Sequence, residues 1–179
     1  MKFLKWLLYV VIFLLAVFFI GGALISPTFT VTRSVVIQAP PEKVYPLIAN
    51  PRAWKQWSVW NQRDPGMAIT YSGTESGAGA KWAWKSKSQG NGEMSFTAAE
   101  PNRRVAFELF FPDFGTTSRG DLSLQPSGAG TQVTWVMHGD MGGNIAFHWL
   151  ALMSEKMVGV DFDAGLATLK RVAERPGTE

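Results

Sequence analysis

An α+β domain, with a seven-stranded antiparallel sheet behind a membrane-length apolar helix, is the fold class this sequence predicts. Three observations predict it. Residues 6–25 (WLLYVVIFLLAVFFIGGALI) are 20 residues without a charge. Seven short segments rich in β-branched and aromatic residues are set off by Gly, Pro, Asn and Asp, the pattern of closely connected strands. Residues 144–174 return to the apolar spacing of helices.

The elements follow in order. At about 1.5 Å per residue the apolar run reaches about 30 Å, the thickness of a bilayer's hydrocarbon core. Lys2 and Lys5 precede it and the next charge is Arg33, a bias that predicts a cytoplasmic N-terminus and an exported domain, periplasmic in a bacterium. Gly21-Gly22-Ala23 also resembles a leader cleavage site, but a leader's apolar core spans only about 7–15 residues. A retained single-pass anchor over residues 1–27 is therefore expected, held in the membrane by residues 6–25, with the folded domain at 28–179.

Ser26-Pro27 should end the anchor helix. Thr28–Gln38 reads as the first strand, and Ala39–Asn50 as a helix that Pro46 shortens or kinks. Asn50-Pro51 suits the start of a short helix carrying Trp54 and Trp57, with Trp60 in the loop beyond. Strands are expected at Met67–Ser72, Ala80–Ser86, Glu93–Glu100, Arg104–Phe111, Thr116–Gln125 and Thr131–His138, with Gly90-Asn91-Gly92 as a hairpin turn. Alternation puts Trp82 and Trp84 on one side, as it does Met94, Phe96 and Ala98, then Val105, Phe107, Leu109 and Phe111, and finally Val133, Trp135 and Met137. One face is thus heavily aromatic and needs a cover. Two helices, Asn144–Met157 and Asp161–Glu174, supply it, with Gly159 at a break or bend and Asp161 capping the second. Phe162, Leu166, Leu169 and Ala173 form the stripe that meets the core.

Composition narrows the function. The 17 basic and 14 acidic residues leave a net charge of +3 with no basic run, which gives no ground for a nucleic-acid partner. Cysteine is absent, excluding disulfides, thiol nucleophiles and thiolate metal sites. With only His138 and His148, and no HExxH, neither a metal site nor a cofactor is expected. The segment Gly73–Gly79 lies between strands, unlike a phosphate loop, and reads as a hairpin loop. Gly139–Gly143 (GDMGG) joins the last strand to the helical tail and is a place for the chain to flex.

Four stretches in this order resemble the START-related helix-grip (SRPBCC) superfamily, in its polyketide cyclase/dehydrase-like branch. They are VTRSVVIQAPPEKVYPLIANPRAWKQWSVW (31–60), YSGTESGAGAKWAWKS (71–86), GAGTQVTWVMHGDM (128–141) and MVGVDFDAGLATLKRVAE (157–174). The resemblance implies a curved seven-stranded sheet gripping a long C-terminal helix, with an apolar cavity between them. It further implies a hydrophobic small molecule or lipid as the partner, and in some members catalysis.

On that basis the candidate ligand-contacting residues are Trp82, Trp84, Phe96, Phe107, Leu109 and Trp135 from the sheet, Trp57 from the short helix, and Met153, Phe162 and Leu166 from the tail. The expected function is a membrane-tethered, non-catalytic binding protein. An enzyme acting in the same cavity would need at least two inward polar groups from His138, Asp140, Tyr71, Glu108 and Arg104. A solid interior would instead make the domain an interaction module. Arg33 falls on the apolar side by alternation; exposure at the strand's start is expected, a buried carboxylate partner being the alternative. Glu108, Arg104 and Arg119 lie on strands and are read as pointing outward, the alternative being that one on the other side of the sheet orients a ligand headgroup; His148 is read as structural or exposed.

Overall fold

The computed structural model describes residues 2–176; the last three residues of the expected domain, 177–179, lie outside the described residues. The elements are α1 (Lys2–Leu24), β1 (Thr28–Ile37), α2 (Pro41–Ala49), a 3-10 turn (Ala53–Gln56), α3 (Val59–Arg63), β2 (Ala68–Gly73), β3 (Ala80–Ser86), β4 (Gly90–Glu100), β5 (Arg104–Phe111), β6 (Thr116–Ser127), β7 (Gly130–Asp140) and α4 (Ile145–Ala173). The strands form one sheet in the order β1-β7-β6-β5-β4-β3-β2, antiparallel at every pairing. The sheet stays open, with β1 and β2 as its free edges, so the expected curvature does not become closure. Helix α1 is long and apolar enough to cross a membrane, with only 6% of its most apolar stretch buried.

Where two terminal helices were expected, α4 is continuous through Gly159. That glycine makes room rather than a break: a Cβ there would lie 2.0 Å from an Arg33 guanidinium nitrogen. Arg33, half-buried on β1, reaches across to α4 and pairs with Glu155 at 2.8 Å and Asp163 at 3.0 Å. The two carboxylates hold its pKa above the ordinary guanidinium value through these hydrogen bonds. Arg33 is therefore the carboxylate-paired residue of the two readings, not a freely exposed one. Asp161 caps nothing either; it lies inside α4 and receives both terminal nitrogens of Arg63 from α3.

The tryptophans at 54 and 57 close the end of the sheet. Their indole N–H groups donate to the carbonyls of Ile48 and Leu47, each at 2.9 Å. These carbonyls belong to the last turn of α2, where a helix leaves acceptors without an internal partner. Trp60 sits on α3 rather than in a loop. The rings of Trp54, Trp57 and Trp60 all approach Trp135 on β7, at centroid distances of 5.7, 5.5 and 6.0 Å. Trp135 lies flat on Phe162 of α4 at 3.8 Å, so one indole joins sheet, short helices and tail. Its own N–H is buried without a partner among the described residues.

A ranking follows. Trp54→Phe and Trp57→Phe each strand a helix-end carbonyl, whereas Trp135→Phe removes an unpaired donor. In urea titrations the first two should be more destabilising than the third by about 1 kcal/mol each. Equal losses would show that the indole bonds contribute nothing to the seating of α2.

Alternation holds along β3, β5, β6 and β7 and fails once, in β4. A bulge between Phe96 and Ala98 shifts the β4–β5 register, which flips the parity and leaves Ala98 exposed. The β3–β4 turn lies at Lys87–Gln89, before the Gly90-Asn91-Gly92 motif, because Ser86 pairs with Gly90. Gly92 is used for packing: a Cβ there would lie 2.2 Å from the Trp84 ring.

Candidate functional site

Between the sheet, α3 and the first half of α4 lies a cavity of about 260 Å³. The sheet contributes Phe29, Trp82, Trp84, Leu109, Phe111 and Met137. Trp54, Ser58, Trp60 and Asn61 come from the short helices, and Phe147, Leu150, Ser154, Val158 and Asp161 from α4. Phe114 stands at the rim, in the β5–β6 connection, with its ring edge-on to Phe147 at 6.0 Å. The lining is apolar with a few placed polar groups, the usual character of a small-molecule site, and its volume lies just under the about 300–1,000 Å³ of drug-sized ligand pockets.

The polar groups differ in availability. Asp161 is held by Arg63, whose pKa is raised by that hydrogen bond. Ser154 donates to the Leu150 carbonyl at 2.8 Å. Asp140, at the rim, accepts the Gly142 N–H at 2.8 Å, and Met141 donates its N–H to Pro27 at 3.0 Å, tying down the GDMGG stretch. Ser58 and Ser118 are buried and line the cavity, and their hydroxyls have no hydrogen-bond partner among the described residues. With the Thr116 hydroxyl, which also lines the cavity and has no partner among the described residues, they can orient a polar atom of a ligand.

Of the ten ligand-contacting candidates, Trp82, Trp84 and Leu109 line this cavity. Phe96, Phe107, Trp135, Phe162 and Leu166 are buried in the core behind it. Trp57 is fully buried and lies off the cavity, whose tryptophans from the short helices are Trp54 and Trp60. Met153 is 53% exposed. In a continuous helix advancing about 100° per residue it lies roughly half a turn from Phe162, so it faces away from the sheet. The two-helix reading had hidden that phase. Ser118 was legible, since it shares the parity of Leu122 and Leu124 on β6, and so was Phe147, which stands three, seven and eleven residues before Leu150, Ser154 and Val158 on one helix face; Phe114, in a strand connection, had no periodic signal to betray it.

Among the five polar candidates for catalysis, Asp140 alone lines the cavity. His138 is exposed and its Nδ1 bonds the Thr30 hydroxyl at 2.9 Å. Glu108 pairs with Arg119, and Arg104 with Asp121. Tyr71 lies beneath the Arg52 guanidinium at 4.3 Å, and burial raises its pKa while Arg52 opposes the shift. His148 bonds the carbonyls of Gly22 and Gly142, a structural position.

Solved structures share this architecture. CV1439 from Chromobacterium violaceum superposes with a TM-score of 0.62 at 18% identity, covering 82% of this chain and 98% of its own. The Aha1 dimer structure from Colwellia psychrerythraea gives 0.56 at 19% identity, with 81% and 96% covered. CalU16 from Micromonospora echinospora gives 0.56 at 19%, with 81% and 76% covered. At such identities the likeness establishes the fold. No curated protein sequence matches the chain. Residues 28–174, from the first strand to the end of α4, match the family described as polyketide cyclase / dehydrase and lipid transport, and the chain belongs to that family.

Proposed function

We propose that the protein is a membrane-tethered, non-catalytic binder of a hydrophobic small molecule or a single lipid chain, held in the cavity between the sheet and α4. The observation that carries this reading is the lining itself: aromatic walls from three directions and the unpartnered hydroxyls of two buried serines, Ser58 and Ser118. α1 serves as the anchor, with its lysine-flanked end in the cytoplasm and the domain on the far side. Burying about 200 Å² of ligand carbon would contribute about 5 kcal/mol before ordering costs. Affinity of that order is weak, so holding the cavity beside a bilayer rich in apolar molecules gives the tether a purpose. Against catalysis stands the scarcity of ionisable groups on the lining: Asp140 is bonded to its own loop and Asp161 is paired with Arg63.

The test uses the chain from Thr28 onward, where the family match begins; a fold of this kind makes up nearly the whole of the solved CV1439 chain. Solvent extraction of the purified domain should release a reproducible apolar compound, and the domain should take up a fluorescent fatty acid. Ser118→Phe and Leu109→Trp, which fill the cavity, should abolish most of the uptake while leaving the fold cooperative. An empty extract with no uptake defeats the reading. Conversion of a supplied polyketide or lipid into a new compound would replace it with the enzyme reading.

A further inference from the structure

The outer face of α4 changes character along its length. Over its first half the residues turned away from the sheet are Leu152, Met153, Met157 and Val160, exposed by 63, 53, 57 and 59%. Lys156 is the one charge within this stripe, and its stem is long enough to carry the ammonium to a polar boundary. On the second half the same face carries Asp163, Ala164, Ala167 and Arg171, all exposed. Large apolar side chains give way there to charges and to methyl groups too small to reach into lipid. An exposed apolar stripe confined to half of a helix is not explained by the core it leaves behind.

α1 determines what lies next to that half. Gly21 and Gly22 let the two helices approach closely: a Cβ on Gly22 would lie 2.4 Å from the Ile145 side chain. Trp149 stacks against Phe18 at 6.2 Å and donates its N–H to the Phe18 carbonyl at 3.2 Å. His148 joins the Gly22 carbonyl at 2.8 Å. These contacts fall inside the apolar run, reaching about 10 Å short of its distal end at Ile25. A helix gripped there cannot stand clear of a bilayer that α1 spans. That depth matches the about 5–10 Å to which amphipathic helices sink at the headgroup–acyl boundary.

We infer that the first half of α4, from Trp149 to Val160, lies in the membrane interface as a second contact with the lipid leaflet, seating the cavity rim on the bilayer. Phe114 and Leu150, the exposed apolar residues of the cavity lining, then open onto acyl chains, and cargo passes between leaflet and cavity without crossing water. The inference rests on the reading of α1 as a membrane span.

The chain contains no cysteine, so single cysteines placed at exposed positions report unambiguously. Full-length Phe13→Cys, Met153→Cys, Val160→Cys and Ala167→Cys variants, labelled with a bimane fluorophore, are reconstituted into phosphatidylcholine–phosphatidylglycerol vesicles. Quenching is read with a headgroup-proximal nitroxide lipid, a mid-chain nitroxide lipid and aqueous iodide. Labels at Met153 and Val160 should lose most of their emission to the headgroup-proximal lipid and resist iodide, while the Ala167 label answers to iodide alone and the Phe13 label to the mid-chain lipid. Iodide-accessible labels at Met153 and Val160, with Phe13 still in lipid, overturn the inference and leave the anchor intact. Labels shielded from both iodide and lipid overturn it in favour of a second copy covering the stripe. A Phe13 label outside lipid removes the anchor reading and this inference with it.

Discussion

Replacing Phe162 with alanine is expected to lower the unfolding free energy by about 3–5 kcal/mol, the range for truncating a buried aromatic side chain. The reasons are specific to its position. Phe162 is 1% exposed and lies face to face with Trp135 at 3.8 Å. It also meets Trp60 edge-on at 6.4 Å. Removing the ring therefore takes from α4 its stacked contact with Trp135, an indole that also meets the tryptophans of the short helices. Natural domains carry only about 5–15 kcal/mol of net stability, so the loss is a large fraction of the whole. The void would also adjoin Trp60, a cavity wall, and a Phe162→Ala protein that remains folded should accept a bulkier fluorescent fatty acid than the parent. Urea titration measures the first effect and competitive uptake the second. A loss smaller than about 1 kcal/mol, the centre of ordinary point mutations, would mean that α4 is seated by its ion pairs rather than by this stack.

The same stack shows what the chain's chemistry reveals before folding and what it conceals. Strand faces were readable because the period is two and the apolar residues are large: Trp82, Phe107, Leu122 and Trp135 are all buried as alternation requires. The stripe of Phe162, Leu166 and Leu169 was readable for the equivalent reason in a helix, and all three are buried. Glycine misled in both directions. At Gly92 it looks like turn chemistry and at Gly159 like a helix break, yet each is a place where Trp84 or Arg33 comes too close for a Cβ. Such close approach is a tertiary fact with no local signature. The cavity divides in the same way. Trp82, Trp84 and Leu109 lie on its wall and Phe96, Phe107 and Trp135 behind it, although alternation gives all six the same inward direction. Inward is a property of a strand; facing a void depends on what the opposite layer leaves unfilled. Met153 shows the cost of an element boundary placed wrongly, since a helix cut at Gly159 carries no phase across the cut.

Gly120→Ala is the second large effect, and it tests the sheet beneath that stack. Gly120 sits in the middle of β6, between Phe107 on β5 and Met137 on β7. A Cβ on it would lie 2.1 Å from the Val136 carbonyl oxygen and 2.7 Å from the Phe107 ring. The ring has limited freedom because Phe107 is itself buried. The carbonyl belongs to the backbone of β7, an interior strand paired on both sides, and cannot retreat without disturbing the ladder. Glycine inside a strand commonly marks such an approach of other chain segments. Overpacking a core usually costs about 1–3 kcal/mol, and more where backbone must yield; about 3 kcal/mol is expected here, with a lower urea midpoint. Gly143→Ala is the matched control, because nothing lies within 4 Å of its Cβ, and it should leave the midpoint nearly unchanged. If Gly120→Ala were as silent as Gly143→Ala, the β6–β7 pairing would have to be looser than described. The aromatic face would then lack the rigid backing on which Trp135 and Phe162 meet.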